Sequence, residues 1–158
     1  MNPIKNGLVH ARVWHEVDAK NKTLGKLAAR IGIALRGKYK PHYNPAFDYG
    51  DYVVVKNARH VALSGNKSTQ KEYNWHTTYP GGLTTIKYDK FIENHPTGPL
   101  KKAIWGMLPK NRLRHIQMLR LYIYPDDHHP YEHNILKDHT ISNVDNQQTT
   151  TTSDSQPR

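Results

Sequence analysis

One segment of the sequence places cations and aromatic rings side by side, in a pattern that suits RNA binding. Residues 35–45 read LRGKYKPHYNP, and two prolines stiffen this stretch. Lysine and arginine bind phosphates, while unpaired bases stack on flat rings, so the segment can contact both parts of a strand. The alternative is an ordinary solvated loop with its rings tucked beneath it. With two preceding cations, the predicted RNA contacts are Lys26, Arg30, Arg36, Lys38, Tyr39, Lys40, His42 and Tyr43.

A second basic segment, residues 64–71 (SGNKSTQK), has the residue types of a phosphate-facing turn. Gly65 and Asn66 tolerate a positive φ, so backbone amides can converge on a phosphate beside Lys67. A P-loop is excluded, because that motif needs adjacent Gly-Lys and another glycine five residues earlier, where this chain has His60. The predicted RNA contacts in and just after this segment are Lys67, Lys71, Tyr73 and His76.

A third basic cluster is residues 110–115 (KNRLRH), which follow a proline, with Lys101 and Lys102 upstream. Its cations fan out from a helix start instead of lining one stripe. A solvated charged face is the usual interpretation of so small a cluster. As one of three basic clusters in a single domain it is nevertheless predicted to contact RNA, through Lys110, Arg112 and Arg114.

Eleven histidines raise the possibility of acid–base catalysis. His42 and His76 are the ones in basic, aromatic surroundings, where they could act as general bases in a nuclease. The sequence supplies neither a paired carboxylate nor an oriented nucleophile beside them. We therefore predict no enzyme activity and no small-molecule substrate, with a basic RNA-processing nuclease kept as an alternative function.

Residues 126–133 superficially resemble a metal-ligand cluster, since three histidines and three acids occur there. Adjacent His128 and His129 rarely bind the same ion, and Pro130 opposes the helix that would align His129 with His133. Cysteine is absent, which excludes disulfides, thiol catalysis and Cys-ligated metals. We predict no metal site and no cofactor.

The charge distribution divides the chain of 158 residues into a basic body and an acidic end. Residues 1–124 hold 21 Lys and Arg against 7 Asp and Glu, while residues 125–158 hold 2 against 6. Such a body attracts polyanions. The longest aliphatic run is Val53-Val54-Val55, so no membrane insertion is expected. Residues 142–158 are uniformly polar and are predicted to be disordered.

The hydrophobic pattern predicts a single α/β domain. Residues 13–17 alternate like a strand, and Leu24, Leu27, Ala28, Ile31 and Leu35 form one stripe of a helix over 23–36, which Gly37 ends. Residues 51–56 have the composition of a doubly buried strand. Further strands are predicted at 61–63, 72–77 and 121–124, and helices at 88–93, 100–108 and 111–118. Interleaved strands and helices favour an α/β layer fold.

An ordered series of motifs resembles the bacterial-type family of large-subunit ribosomal proteins numbered thirteen. The resemblance runs from about Trp14 to Pro130. It is carried by WHEVDA (14–19), TLGKLA (23–28), LRGK (35–38), Tyr43, Pro45, Asp48, GDYVVVKNA (50–58), GNK (65–67), KEY (71–73), PGGL (80–83) and GMLPKN (106–111). Thr77-Thr78 departs from the family, which usually has a glycine there.

The resemblance implies a three-layer α/β/α domain around a small, mainly parallel sheet. It implies a structural constituent of the large ribosomal subunit that binds large-subunit rRNA, contacts neighbouring ribosomal proteins and supports subunit assembly. The family's RNA-facing stretches, carried over, fall on residues 36–43, 65–71 and 110–114, the three clusters chosen above. A free regulatory RNA-binding protein remains a further alternative.

The expected organisation is a basic N-terminal arm (1–12), an rRNA-binding domain (13–124), a C-terminal extension (125–141) and a disordered tail (142–158). The arm, with residues 7–12, and the stretch 130–135 resemble fungal mitochondrial members of the family. An acid-free, basic start is also compatible with a transit peptide. The predicted location is therefore the mitochondrial ribosome, with a ribosome of the bacterial cytoplasm as the alternative.

Overall fold

The computed structural model describes residues 11–135, and these form an α/β domain. The strands in that range are β1 (Trp14–Asp18), β2 (Tyr52–Lys56), β3 (Glu72–His76), β4 (Leu83–Lys87) and β5 (Leu121–Ile123). The helices there are α1 (Leu24–Arg36), α2 (Lys67–Gln70), α3 (Tyr88–Asn94), α4 (Gly98–Met107) and α5 (Leu113–Met118). Short 3₁₀ turns occur at Ala58–His60 and Glu132–Asn134.

The main sheet is parallel, with strand order β1-β2-β5. The central strand β2 carries Val53, Val54 and Val55, all completely buried. This is the position that a continuous β-branched run predicts, because a central parallel strand is covered on both faces. A separate antiparallel ribbon pairs β3 with β4.

Helix α1 covers one face of the sheet with the apolar stripe that the sequence predicts. Leu27, Ile31 and Leu35 are buried, and they share one core with Val53 and Val55 of β2. Helix α4 packs beside α1 and adds Leu100 and Ile104, together with Leu108. Helix α4 ends just before Pro109, as expected for a residue that forces its predecessor out of the α region.

The opposite face of the sheet is aromatic. Trp14 of β1 stacks on Tyr52 of β2 with 4.5 Å between ring centroids, and it also stacks on Tyr131 at 5.1 Å. Tyr131 belongs to the segment 125–135, which crosses this face and contains the second 3₁₀ turn. The sheet thus lies between the α1–α4 helix layer and this aromatic layer, and the predicted α/β domain with a mainly parallel sheet is confirmed.

The structure differs from the predicted elements at residues 61–63, at residues 83–87 and at the short helix α2 (Lys67–Gln70), which was expected to be a turn. Residues 61–63 do not form a strand; Ala62 makes one isolated bridge to Thr23, and its carbonyl accepts a hydrogen bond from the amide of Leu24. The segment therefore supplies a hydrogen-bond acceptor for one of the backbone amides in the first turn of α1. Strand β4 was not predicted, because LTTIK (83–87) is short and its side chains are mostly exposed. The predicted disordered tail and nearly all of the N-terminal arm lie outside residues 11–135.

Candidate nucleic-acid interface

The first basic segment leaves α1 through a tight helix end at Gly37. Gly37 has a φ of 68°, its amide donates to the carbonyl of Ala34, and the amide of Lys38 donates to that of Ile33. This is a Schellman ending. A β-carbon on Gly37 would also lie 2.4 Å from the carbonyl oxygen of Tyr49. The glycine thereby sets where the loop after α1 begins and lets it pass close to residue 49.

A buried carboxylate organises the loop from within. Asp51 is completely buried at the start of β2. It accepts hydrogen bonds from Lys40 Nζ at 2.7 Å, from the Tyr39 hydroxyl and from the Val13 amide at 3.0 Å. His15 Nε2 lies 3.2 Å from its other oxygen. Lys40 also donates to the carbonyl oxygen of Tyr49 at 2.9 Å, so its ammonium group bonds to other residues of the domain.

These contacts keep Asp51 ionised. Burial by itself raises the pKa of a carboxyl, because it disfavours the charged form. The hydrogen bonds from His15, Lys40, Tyr39 and the Val13 amide outweigh burial and lower the pKa of Asp51 to about 2. At neutral pH the loop is therefore held by a charged group beneath it.

The remaining predicted residues around α1 differ in how far their side chains are exposed and in whether they bond to other residues of the domain. Arg36 donates a hydrogen bond of 2.6 Å to the Tyr43 hydroxyl, so these two residues brace each other. Lys26, Lys38 and His42 are exposed. Arg30 is half-buried on α1. The side chains that extend into solvent therefore lie along α1 and just beyond its C-terminal end.

The second basic segment lies at the opposite end of α1. A recess of about 190 Å³ is lined by the first residues of that helix and by two predicted lysines; its lining residues are Thr23, Leu24, Gly25, Ala62, Leu63, Ser64, Lys67 and Lys71. The first turn of α1 carries no acidic residue. Lys67 is exposed and donates to Ser64 Oγ at 3.1 Å. The Leu24 amide is already bonded to the Ala62 carbonyl, so the exposed ammonium group of Lys67 is the main feature of this recess that suits an oxyanion such as a phosphate.

The ribbon after this segment separates its two predicted aromatic contacts. Tyr73 of β3 is buried against Phe91, with ring centroids 4.7 Å apart, and burial raises the pKa of Tyr73 to about 12. The structure thus gives Tyr73 a packing role. His76 at the end of β3 is exposed. Trp75 is 44% exposed and was missed, because an isolated tryptophan in a strand usually packs inward.

The third segment divides in the same way. The guanidinium carbon of Arg114 lies 3.9 Å from the ring centroid of Trp105, and its Nη2 donates to the Trp105 carbonyl. Lys110 and Arg112 precede α5 and are exposed. Helix α5 packs on α1, so all three basic segments border the same helix. Since α1 spans 13 residues, its two ends are about 20 Å apart.

Two acidic residues in this region were not predicted to matter. Asp48 and Asp51 lie within the basic body, and from composition alone each of them only lowers the net positive charge. In the structure they anchor the loop between α1 and β2 through Arg120 and Lys40 respectively. The signal that could have found them is the position of Asp51 directly before a doubly buried strand, where an unpaired carboxylate would be costly.

The residues proposed for other chemistries are arranged differently. His42 and His76 are exposed, and within residues 11–135 neither side chain makes a hydrogen bond or ion pair. His129 is buried beside Tyr124, and its Nε2 lies 3.6 Å from Glu16. Within residues 11–135, no three residues among His, Cys, Asp and Glu are grouped so that they could hold a metal ion, and each helix is too short or too polar to span a bilayer.

Comparison with known proteins agrees with the extent of the resemblance, which runs from about Trp14 to Pro130. The chain is 48% identical over 118 residues to the large ribosomal subunit protein uL13 of Caldicellulosiruptor saccharolyticus, covering 75% of this chain and 83% of that protein. It is 48% identical over 120 residues to uL13 of Rubrobacter xylanophilus (76% and 84%), and 47% identical over 120 residues to that of Streptomyces coelicolor (76% and 82%). The family described as Ribosomal protein L13 matches residues 12–130, so the chain belongs to that family.

Proposed function

We propose that this protein is a structural constituent of the large ribosomal subunit. It binds large-subunit rRNA, contacts neighbouring ribosomal proteins and supports assembly of the subunit. The observation that carries the proposal is family membership over residues 12–130, a range that contains most of the basic body. The relatives compared above are named as large-subunit proteins at more than 80% coverage of their own length.

The RNA contacts we propose are the predicted Lys, Arg and His residues that are exposed, together with the half-buried Lys71. They are distributed around α1 and the segments that border it: Lys26, Lys38, His42, Lys67, Lys71, His76, Lys110 and Arg112. Their separation along α1 suits an RNA surface that extends over about 20 Å. Lysines and arginines that are not neutralised by the fold supply the counterion-releasing part of the binding energy.

Four other predicted residues use a polar group or ring in contacts within the domain, although Tyr39 is 52% exposed. Lys40 and Tyr39 bind Asp51, Tyr73 packs on Phe91, and Arg114 stacks on Trp105. Arg36 and Tyr43 stabilise the loop through the hydrogen bond between them. They contact RNA only through donors or acceptors that this hydrogen bond leaves available. We assign these side chains to loop rigidity, which lowers the conformational entropy lost when RNA binds.

The proposed location is the mitochondrial ribosome. Its support is sequence resemblance in residues 7–12 and 130–135 to fungal mitochondrial members, together with the basic start. The relatives compared above are bacterial and fit the alternative, a ribosome of the bacterial cytoplasm. Residues 1–10 lie outside the described range, so this part of the proposal rests on sequence alone.

Sedimentation of a lysate on a sucrose gradient tests both levels of the proposal. A tagged chain should co-migrate with the large ribosomal subunit and stay there at moderate salt. In a eukaryotic host, the same fractions should contain mitochondrial large-subunit rRNA. Migration as a free protein would contradict the ribosomal role and favour the regulatory alternative, whereas co-migration with a non-mitochondrial subunit would contradict only the location.

A nuclease assay addresses the enzymatic alternative directly. The purified chain is incubated with labelled rRNA fragments, and the wild type is compared with His42→Ala and His76→Ala. We expect no cleavage above a buffer control in any of the three samples. Cleavage that disappears in either variant would contradict the structural role and establish that histidine as catalytic.

A further inference from the structure

A recess with an apolar lining lies where α3, α4 and the end of α5 meet. Its lining residues are Phe91, Gly98, Lys101, Lys102, Trp105 and Met118. The volume is about 250 Å³, which is below the range of roughly 300–1,000 Å³ typical of pockets for drug-sized molecules. The recess therefore suits one flat ring system better than a larger ligand. None of the predicted RNA contacts lines it.

Two exposed lysines, Lys101 and Lys102, line this recess. Between residues 94 and 124 the sequence has six Lys and Arg and neither Asp nor Glu, whereas α3, which contributes Phe91, also carries the exposed Asp89 and Glu93. The Nζ of Lys102 lies 4.9 Å from the ring centroid of Tyr73 and 6.0 Å from that of Phe91. One of the two lysines is thus held beside the rings at the recess.

We propose that this recess binds a single unpaired base of RNA. Trp105, Phe91 and Met118 supply the apolar and aromatic surface for the base, and Lys101 and Lys102 bind the flanking phosphates. The proposal rests on the RNA-binding function proposed above and adds a specific subsite to it.

Charge favours RNA over a protein segment as the occupant. Every unpaired base in an RNA strand is flanked by phosphates on both sides. Each nucleotide therefore supplies both the ring that fits the cavity and the negative charges that the lysines attract. An aromatic side chain of a partner protein would need acidic neighbours placed for the purpose. Arg114, stacked on Trp105, adds a further cation beside the same ring.

The test uses the full chain and two RNA hairpins with the same stem. One hairpin carries a single bulged 2-aminopurine, and the other is fully paired with 2-aminopurine in the stem. We expect the bulged hairpin to bind about tenfold more tightly, since base–aromatic stacking changes affinity by roughly 5- to 150-fold. The fluorescence of the bulged 2-aminopurine should be quenched on binding, because a base stacked on an aromatic ring loses emission.

Two variants address the recess itself. Trp105→Leu should abolish both the preference for the bulged hairpin and the quenching, with circular dichroism used to verify its fold. Lys101→Glu reverses one exposed rim charge and should weaken the bulged hairpin more than the paired one. Its matched control is Lys20→Glu, an exposed lysine outside the recess, which should leave the ratio of the two affinities unchanged.

The outcomes separate this proposal from the broader one. Equal affinity for the two hairpins, or quenching that persists in both variants, would overturn the base-binding recess while leaving RNA binding intact. Failure of the wild type to bind either hairpin at low salt would overturn the RNA-binding function and the recess together. An acidic peptide that contains tryptophan can be added as a competitor. If it binds tightly and displaces neither hairpin, the recess would be assigned to a protein partner instead.

Discussion

Arg120 and Asp48, which are 72 residues apart in sequence, form a two-pronged ion pair inside the domain. Nη1 and Nη2 of Arg120 donate to the two carboxylate oxygens at 2.5 and 2.6 Å, and Nη2 also donates to the Leu35 carbonyl at 3.1 Å. Gly50 makes room for this arrangement, since a β-carbon there would lie 2.4 Å from Nη2. The end of α1, the following loop and the start of β5 are thereby joined.

Removing the guanidinium should strongly destabilise the protein. Arg120 is only 3% exposed, so Arg120→Met leaves the Asp48 carboxylate without its main partner. We expect the free energy of unfolding to fall by about 3–5 kcal/mol. Urea denaturation followed by circular dichroism measures it, with Arg112→Met as the control at an exposed position. Equal effects of the two substitutions would contradict a structural role for the pair.

Two isoleucines on α1 provide a matched test of the helix orientation. Ile31 is completely buried and Ile33 is 44% exposed. Ile31→Ala should cost roughly 2–5 kcal/mol of stability, because it leaves a cavity in the core, whereas Ile33→Ala should cost well under half as much. Thermal and urea unfolding of both variants check the difference. A reversed order would mean that α1 presents another face to the sheet.

Asp51 should make stability depend on pH in the acidic range. The pKa of Asp51 is about 2 in the folded protein, against 3.8 for an ordinary aspartate. A depressed pKa contributes stability above the unfolded-state value, and that stability is lost as the pH falls towards the folded-state value. The shift corresponds to on the order of 2 kcal/mol.

The measurement compares wild type with Asp51→Asn between about pH 5 and pH 2. The difference in free energy of unfolding should be largest near pH 5 and shrink as the pH is lowered. Asp126→Asn, at an exposed position, serves as the control and should show a small difference throughout. A difference that stays constant across the range would show that the charge of Asp51 does not stabilise the fold.

Two lysines of the same loop should separate RNA affinity from stability. Lys38 is exposed, whereas Lys40 binds the buried Asp51. Lys38→Gln should leave unfolding unchanged and flatten the log–log salt dependence of rRNA binding by about 0.7–0.9, the contribution of one phosphate contact. Lys40→Gln should lower the melting temperature. Fluorescence anisotropy at several salt concentrations and a thermal melt distinguish the two effects.

This pair also revises an expectation that follows from sequence alone. A triple replacement of Arg36, Lys38 and Lys40 by alanine would be expected to leave the fold intact, because all three follow the apolar stripe of α1. The structure places Lys40 against Asp51 and Arg36 against Tyr43, so that triple variant would lose stability as well as charge. An unchanged salt slope for Lys38→Gln alone would contradict the loop as a phosphate contact.

The features that depend on local periodicity could be predicted from the amino-acid sequence. The buried stripe of α1, its end at Gly37, the doubly buried strand β2 and the stop before Pro109 were all predicted within a few residues. Each follows from side-chain spacing or backbone restriction over one or two turns of chain, which no distant contact needs to supply. The basic body was likewise visible from composition.

Which cations stay exposed, and can therefore bind RNA under the proposed function, depends on contacts between segments that are distant in sequence. Lys38 and Lys40 are chemically identical and two residues apart, yet one extends into solvent and the other is neutralised by Asp51. The same holds for the recess beside Trp105, whose walls come from three helices. A buried ion pair or a cavity depends on partners brought close through space, and neither residue type nor spacing along the chain specifies that proximity.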